Sequence, residues 1–414
     1  MAPLSRLLAP LRNHQFALLW GGQSVSLFGD GVLAAALPVL LLYTLHASSW
    51  ELGLVVAARL VPLVVLLLLG GALTDRVSKR LAMLSSDVVR GIVTVVIGVL
   101  AITGELDLAI LVVSMLVFGS VDALFMPAST AMLPEVVTSA ELMAANSLTQ
   151  SSRQLAGSLV GPIVGGVLAA TLGAPAALFV DGATFAVSAA CLAAMRPTPT
   201  PEPKETSMLH EVHEGLQYCR RTPWLLWTLV AAGIANAIVF SPGAVLLPLL
   251  FKEVFAAPVW MIGVAFAALG VGGLLGALAA GTMPRPRRRI HWMWVSWAGA
   301  AAFDVGFGLS PTPLVACLAL IAFGPLLMFG NILWESMLQT EVPRELLGRV
   351  SSVDWTLSLA GSPIGVAIAG TVAGVIGVRP TIVIPALTVA VGSLVFLALF
   401  RPLTEIDRRA PSPA

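Results

Sequence analysis

Apolar residues along this chain come in about twelve runs of roughly 20, the length a helix needs to cross a bilayer core, and short polar loops separate them. The runs fall at 16–43, 50–73, 82–102, 106–126, 141–171, 175–195, 223–250, 258–283, 291–310, 312–336, 348–377 and 379–401. They predict an all-α membrane protein with twelve transmembrane helices in two six-helix bundles. The first run follows Arg6 and Arg12, is too long for a signal-peptide core and lacks a convincing cleavage site, so it is expected to stay as the first helix.

The two halves look duplicated. Leu133, Pro134 and Glu135, then Glu141 and Leu142, then Gly161 and Pro162 in the first half match Glu341 to Leu346, then Ser362, Pro363, Ile364 and Gly365 in the second, at an offset of about 200 residues. This predicts pseudo-symmetric bundles at 1–195 and 223–401, a linker at 196–222 and a tail at 402–414. Residues 197–203 alternate proline with polar residues, a stiff spacer. Beyond them Leu209, Val212, Leu216 and Cys219 recur at helical spacing, as in an amphipathic helix.

Span five carries the most informative local pattern. Gly157, Gly161, Pro162, Gly165 and Gly166 lie in a stretch without charge from Arg153 to Asp181. In a soluble helix each glycine costs about 1 kcal/mol and the proline about 3 relative to alanine. In a membrane, small residues four apart let two backbones approach closely. Span five is therefore expected to be bent and tightly packed. Gly272 and Gly276 in span eight repeat the spacing and are the expected partners of Gly157 and Gly161.

Composition agrees with the pattern. The 414 residues are 57% hydrophobic and 11% charged, against about 45–50% and 25% in a soluble domain. The net charge is +1, and its basic residues are scattered over short loops without aromatic clusters, so no nucleic-acid partner is expected. Cys191, Cys219 and Cys317 have no paired spacing that would suggest a disulfide or a metal. His210, Glu211, His213 and Glu214 lack the four-residue histidine spacing of a helical zinc site. No cofactor is expected. Each lysine follows Ser78, Pro203 or Phe251, so the glycine-lysine pair of a phosphate-binding loop is missing.

Arginines set the orientation. Arg76, Lys79 and Arg80 follow span two, Arg196, Lys204, Arg220 and Arg221 follow span six, Arg285 and Arg287 to Arg289 follow span eight, and Arg408 and Arg409 lie near the end. The alternate loops offer little beyond Lys252 and Arg379. By the positive-inside rule both termini and the linker are cytoplasmic and the protein is multi-pass in the plasma (inner) membrane.

Ionisable residues inside spans are functional candidates. Asp30 and Arg59 each lie about fourteen residues from the cytoplasmic end of their spans, near 21 Å depth, and are expected to meet. They are the proton-coupling candidates. Asp87 and Arg90 are one turn apart and read as a structural pair. Asp122, Glu335 and Asp354 fall near inner helix ends, where they would join a cytoplasmic charge network. Gln23, Arg153, Asn236, Asn331, Trp334 and Trp355 are candidates for lining a substrate cavity, and Asp304 is a further acid within span nine.

The run Gly71, Ala72, Leu73, Thr74, Asp75, Arg76, Val77, Ser78, Lys79, Arg80 resembles the signature between helices two and three of the major facilitator superfamily, with Ser78 where glycine is usual. Gly157 to Gly166 resembles the helix-five motif associated with antiporters and exporters. Glu214 to Tyr218 and Pro343, Glu345, Leu346, Gly348, Arg349 and Val350 resemble the branch containing enterobactin exporters and macrolide efflux pumps. The resemblance spans nearly the whole chain. It implies that Gly71, Asp75, Arg76, Lys79 and Arg80 form a cytoplasmic latch, with Asp75 facing the positive N-terminus of helix eleven, and that helices five and eight pack together.

The expected function is secondary active export of a small amphipathic molecule, drug-like, macrolide-like or siderophore-like, by proton antiport and alternating access, without enzymatic activity. The partners are a small-molecule substrate, protons and the lipid bilayer, and a monomer is expected. An uptake carrier or lysolipid translocator of the same fold and a non-transporting membrane sensor are the alternatives. Against a membrane enzyme, no histidine lies within a span and no serine, histidine and acid set sits at membrane depth.

Overall fold

In a bilayer no water meets the backbone, so each apolar run closes its own hydrogen bonds as a helix. The computed structural model describes residues 8–74, 78–138, 141–196, 208–282, 286, 288–400 and 403, and every long element among them is helical. Spans one to six are α1 (His14–Val39), α2 (Ser49–Thr74), α3 (Lys79–Thr103), α4 (Leu108–Val136), α5 (Leu142–Ser152) with α6 (Gly161–Thr171), and α7 (Ala174–Ala194). The linker helix is α8 (Met208–Arg221). Spans seven to twelve are α9 (Pro223–Ala235) with α10 (Gly243–Leu249), α11 (Trp260–Thr282), α12 (Arg289–Leu309), α13 (Pro313–Glu341), α14 (Arg344–Ala360) with α15 (Ser362–Ile376), and α16 (Val378–Leu399).

Eleven of these spans are long and apolar enough to cross a membrane. The remaining one, α12, has 21 residues, but Asp304, His291 and its tryptophans dilute its hydropathy. By internal contacts the chain divides into two units, Met1–Glu205 with Pro258–Ala267, and Thr206–Ala257 with Ala268–Ala414.

Local backbone features recur in both halves. A π-helical turn, Leu40–Thr44 or Leu250–Val254, follows an internal proline, Pro38 or Pro248. Each turn leads to a left-handed residue that is not glycine, His46 at φ 51° and Ala256 at φ 47°. Gly173 and Gly377, at φ 85° and 91° with extended ψ, each open the last span of their half in a conformation that glycine adopts without steric cost.

Outward faces carry apolar stripes at helical spacing, such as Val88, Ile92, Val95, Val99 and Ile102 on α3 and Ile384, Leu387, Val391 and Leu394 on α16. These face lipid. The linker helix packs its apolar side, Leu216, Tyr218 and Cys219, into the second unit's core with Trp224, Leu333 and Val350. Burial pushes the Cys219 thiol up to about 11, which leaves it protonated and inert. The side chains of His210 and Glu211 lie outside the described residues.

Candidate functional site

A charged cluster lies inside the first unit, on five helices. Asp30 Oδ1 is 3.5 Å from Arg59 Nη2, so the residues expected to meet do meet. Arg59 is held more firmly by Asp122, whose Oδ2 accepts from its Nη2 at 2.9 Å and its Nε at 3.2 Å. Gly119, one turn before Asp122, lets α4 rest on the Arg59 carbonyl, since a Cβ there would sit 1.9 Å from that oxygen. Arg90 donates to Asp122 Oδ1 at 3.0 Å and to Asp87, and lies 3.9 Å from Asp30. Its guanidinium also stacks 4.3 Å from the Phe125 centroid and 4.5 Å from that of Phe185. Arg153 is close enough to act on Asp30 electrostatically.

Two placements correct the sequence reading. Asp122 belongs to this buried cluster rather than to a cytoplasmic network, because the rotation of α4 turns it toward α2 and α3. Asp181 on α7, which the sequence reading used only to mark the end of an uncharged stretch, joins the cluster too. It is fully buried, and neither carboxylate oxygen has a hydrogen bond of normal geometry. The neighbouring Thr94 hydroxyl is committed to the Arg90 carbonyl at 2.8 Å. Gly29, next to Asp30, makes room for it, since a Cβ there would lie 2.4 Å from Asp181 Oδ1. An aspartate in an otherwise apolar span was the available signal.

The second unit holds a cavity of about 450 Å³. Four of the predicted lining residues, Asn236, Asn331, Trp334 and Trp355, come together in its wall. Hydrogen bonds fix the wall: Trp297 Nε1 donates to Asn331 Oδ1 at 3.1 Å, and Trp334 Nε1 to Asp354 Oδ2 at 3.0 Å. Glu335 and Asp354 line the cavity instead of joining a cytoplasmic network, a second correction of role for acids near helix ends. Gln23, half-buried on α1, and Arg153, exposed at the start of the π-helical Arg153–Val160, belong to the first unit. Asp304 makes no ion pair or hydrogen bond among the described residues, and nothing in the structure explains it.

The latch residues divide. Asp75 and Arg76 lie outside the described residues, and Gly71 is part of α2. Lys79 pairs with Glu135, and Arg80 donates to the Leu192 carbonyl at 2.7 Å and the Ala193 carbonyl at 2.6 Å, which ties α3 to the end of α7. In the second unit Arg349 pairs with Glu214 of the linker helix, and Arg289 with Glu341 at 2.5 Å.

The glycine motif packs as the sequence predicts, but on another helix. A Cβ at Gly161 would lie 2.5 Å from the Phe28 carbonyl and 2.8 Å from Gly31 Cα, and one at Gly165 2.4 Å from the Val32 carbonyl, so span five rests on α1. Gly157 faces Leu27 of the same helix. Pro162 caps the π-helical stretch, whose widened turns accommodate its missing N–H. Gly272 and Gly276, the expected partners, pack instead on Ile321, Gly324 and Pro325 of α13. Gly166 and Pro162 do meet α11: a Cβ at Gly166 would lie 2.9 Å from Gly263 Cα, and one at Gly263 2.3 Å from the Pro162 carbonyl. The reason is rotational: glycines four apart share one face, and the next residue points about 100° away.

The membrane-spanning helices thus carry a buried ionic cluster in the first unit and a cavity in the second. Over residues 5–413 the chain matches the transmembrane secretion effector family, and it belongs to that family of the major facilitator superfamily. It is 30% identical to the multidrug efflux pump Tap of Mycolicibacterium fortuitum over 96% of this chain and 97% of that one. It is 28% identical to the enterobactin exporter EntS of Escherichia coli, covering 88% and 86%. Its fold is similar to that of the nucleoside transporter NupG, with TM-score 0.74 and 14% identity over 94% of this chain and 99% of that one.

Proposed function

We propose that the chain exports a small amphipathic molecule across the plasma membrane by alternating access, in exchange for protons. Two similar proteins named for export, Tap and EntS, support the direction. The cavity wall, with Asn236, Asn331, Trp334 and Trp355, suits a partly polar, bulky molecule. Gln23 and Arg153 are the first unit's candidates for the same task. The protein works as a monomer, with the Gly71, Asp75, Arg76, Lys79 and Arg80 group as its cytoplasmic latch.

One observation carries the proton half. Of the acids that pair with Arg59 and Arg90, Asp30 is the one held least firmly. Asp122 takes both arginines in hydrogen bonds at 2.9 and 3.0 Å, whereas Asp30 has only ion pairs at 3.5 and 3.9 Å and no hydrogen bond to its Oδ1. Four carboxylates, Asp30, Asp87, Asp122 and Asp181, share two guanidiniums, Arg59 and Arg90, with Arg153 at the margin. At membrane depth such an excess of acid is met by protons. A proton taken on Asp30 frees Arg59 to Asp122, and its release restores the pair, which couples proton movement to a change of state.

Efflux from cells appears as uptake into everted vesicles. A gradient acid inside the vesicle should drive substrate accumulation, and Asp30→Asn should leave the protein folded and substrate-binding while flux no longer follows the gradient. Gradient-driven flux at the original rate in Asp30→Asn would remove Asp30 from the coupling path. If the variant instead loses thermal stability and regains it when Arg59 is neutralised, the pair is structural.

Orientation has its own measurement. A cysteine at Ser207 should react with an impermeant maleimide only from the cytoplasmic side, and one at the exposed Thr103 only from outside. The reverse labelling would invert every side assigned here.

A further inference from the structure

The cavity of the second unit has a charge character that export of an amphipathic molecule does not by itself require. Glu335 and Asp354 both line it, and among the described residues its lining contains no lysine, arginine or histidine. Their situations differ. Asp354 is satisfied by Trp334 Nε1 at 3.0 Å and Ser358 Oγ at 3.3 Å. Glu335 makes no hydrogen bond or ion pair among the described residues, and its side chain is open to the cavity.

Around these acids stand aromatic faces. Trp294, Trp297, Trp334 and Trp355 all line the cavity, and Trp297 lies 6.0 Å from Trp294 and 6.4 Å from Trp334, ring centroid to centroid. Their hydrogen bonds to Asn331 and Asp354 fix Trp297 and Trp334 in place, so the faces are preorganised. Trp355 is 54% exposed, which leaves a large part of its ring surface open. Trp294, 3% exposed, packs behind these faces in the core of the second unit.

Acid without base, ringed by π faces, is a recognition chemistry with one sign. A cation gains from the ring quadrupoles and from the carboxylates, whereas an anion of the same shape loses on both. We infer that this cavity binds an amphipathic organic cation, with Glu335 as the charge partner and Trp297 and Trp355 as the faces that cover it. The inference rests on the export reading for its physiological meaning, but the binding it asserts does not need transport.

Two ions of nearly equal shape and opposite charge test it: tetraphenylphosphonium and tetraphenylborate, titrated calorimetrically into the purified full-length protein in a neutral detergent, with empty micelles as the blank. The phosphonium should bind at least about tenfold more tightly than the borate, the scale set by a desolvated cation–π contact plus one charge pair. Glu335→Gln should remove most of that preference, and its unchanged melting curve would show that the variant is folded. Trp355→Leu should weaken the phosphonium and spare the melting curve. Borate binding as tight as phosphonium, or a Glu335→Gln protein with the original preference, overturns the assignment. Flux measurements separate the two claims. Selective phosphonium binding without vesicle transport of any compound would sink export and keep the site, and transport of uncharged compounds with no phosphonium binding would do the opposite.

Discussion

Arg90→Met should be among the most damaging single changes in the first unit. Arg90 is 2% exposed and lies within 4 Å of Asp87, Asp122 and Asp30. Removing one partner of a buried ionic group leaves the others without compensation, at a cost of about 3–5 kcal/mol. Methionine keeps the length of the side chain and its contact with Phe125 and Phe185, so the loss reports charge rather than volume. The purified variant should melt far below the parent or fail to leave the membrane as a single species. Neutralising Asp87 and Asp122 as well should restore much of the loss, because no orphaned carboxylates then remain beside the vacancy. An Arg90→Met protein with the parent's melting temperature would mean that Arg59 alone carries the cluster.

Gly161→Leu comes next, and acts by shape. A side chain here meets backbone, the Phe28 carbonyl and Gly31 Cα, rather than the end of a flexible neighbour that could swing aside. Leucine favours the bilayer, so membrane insertion should be normal. Span five and α1 would then be held apart, at an overpacking cost of about 1–3 kcal/mol or more, and flux in vesicles should fall by more than tenfold. Gly161→Ala should fall between. Gly392→Ala, at a glycine with open space around it, should change neither flux nor melting. Parental flux in Gly161→Leu would mean that the close approach of span five to α1 is not needed for the transport cycle.

The two results would bear on different kinds of information. The Gly161 spacing was readable as a packing face, since small residues four apart lie on one side of a helix, but the helix it packs against was not. Gly272 and Gly276 had the same spacing and took Gly324 and Pro325 instead. Any two such faces are equally plausible in a list of sequences, and only the order of helices around the bundle chooses. The cluster tells the same story with charges. Asp30 and Arg59 were matched because their depths agree, and they lie 3.5 Å apart. Asp122 and Asp181 were misplaced or passed over because depth says nothing about which way a helix is turned.

Sequence alone determined the approximate number of spans, their approximate ends and the presence of acid and base inside them. These follow from properties that add along the chain: apolar length against bilayer thickness, glycine and proline spacing, and a rise of 1.5 Å per residue. Tertiary structure decided the rest. It gave Arg59 and Arg90 to Asp122 more firmly than to Asp30, took Glu335 and Asp354 from the helix ends into a cavity wall of tryptophans, and set span five on α1. The physical reason is rotation about the helix axis, because hydropathy places a residue along a span, and only side chains packing against a particular neighbour fix the direction in which it points.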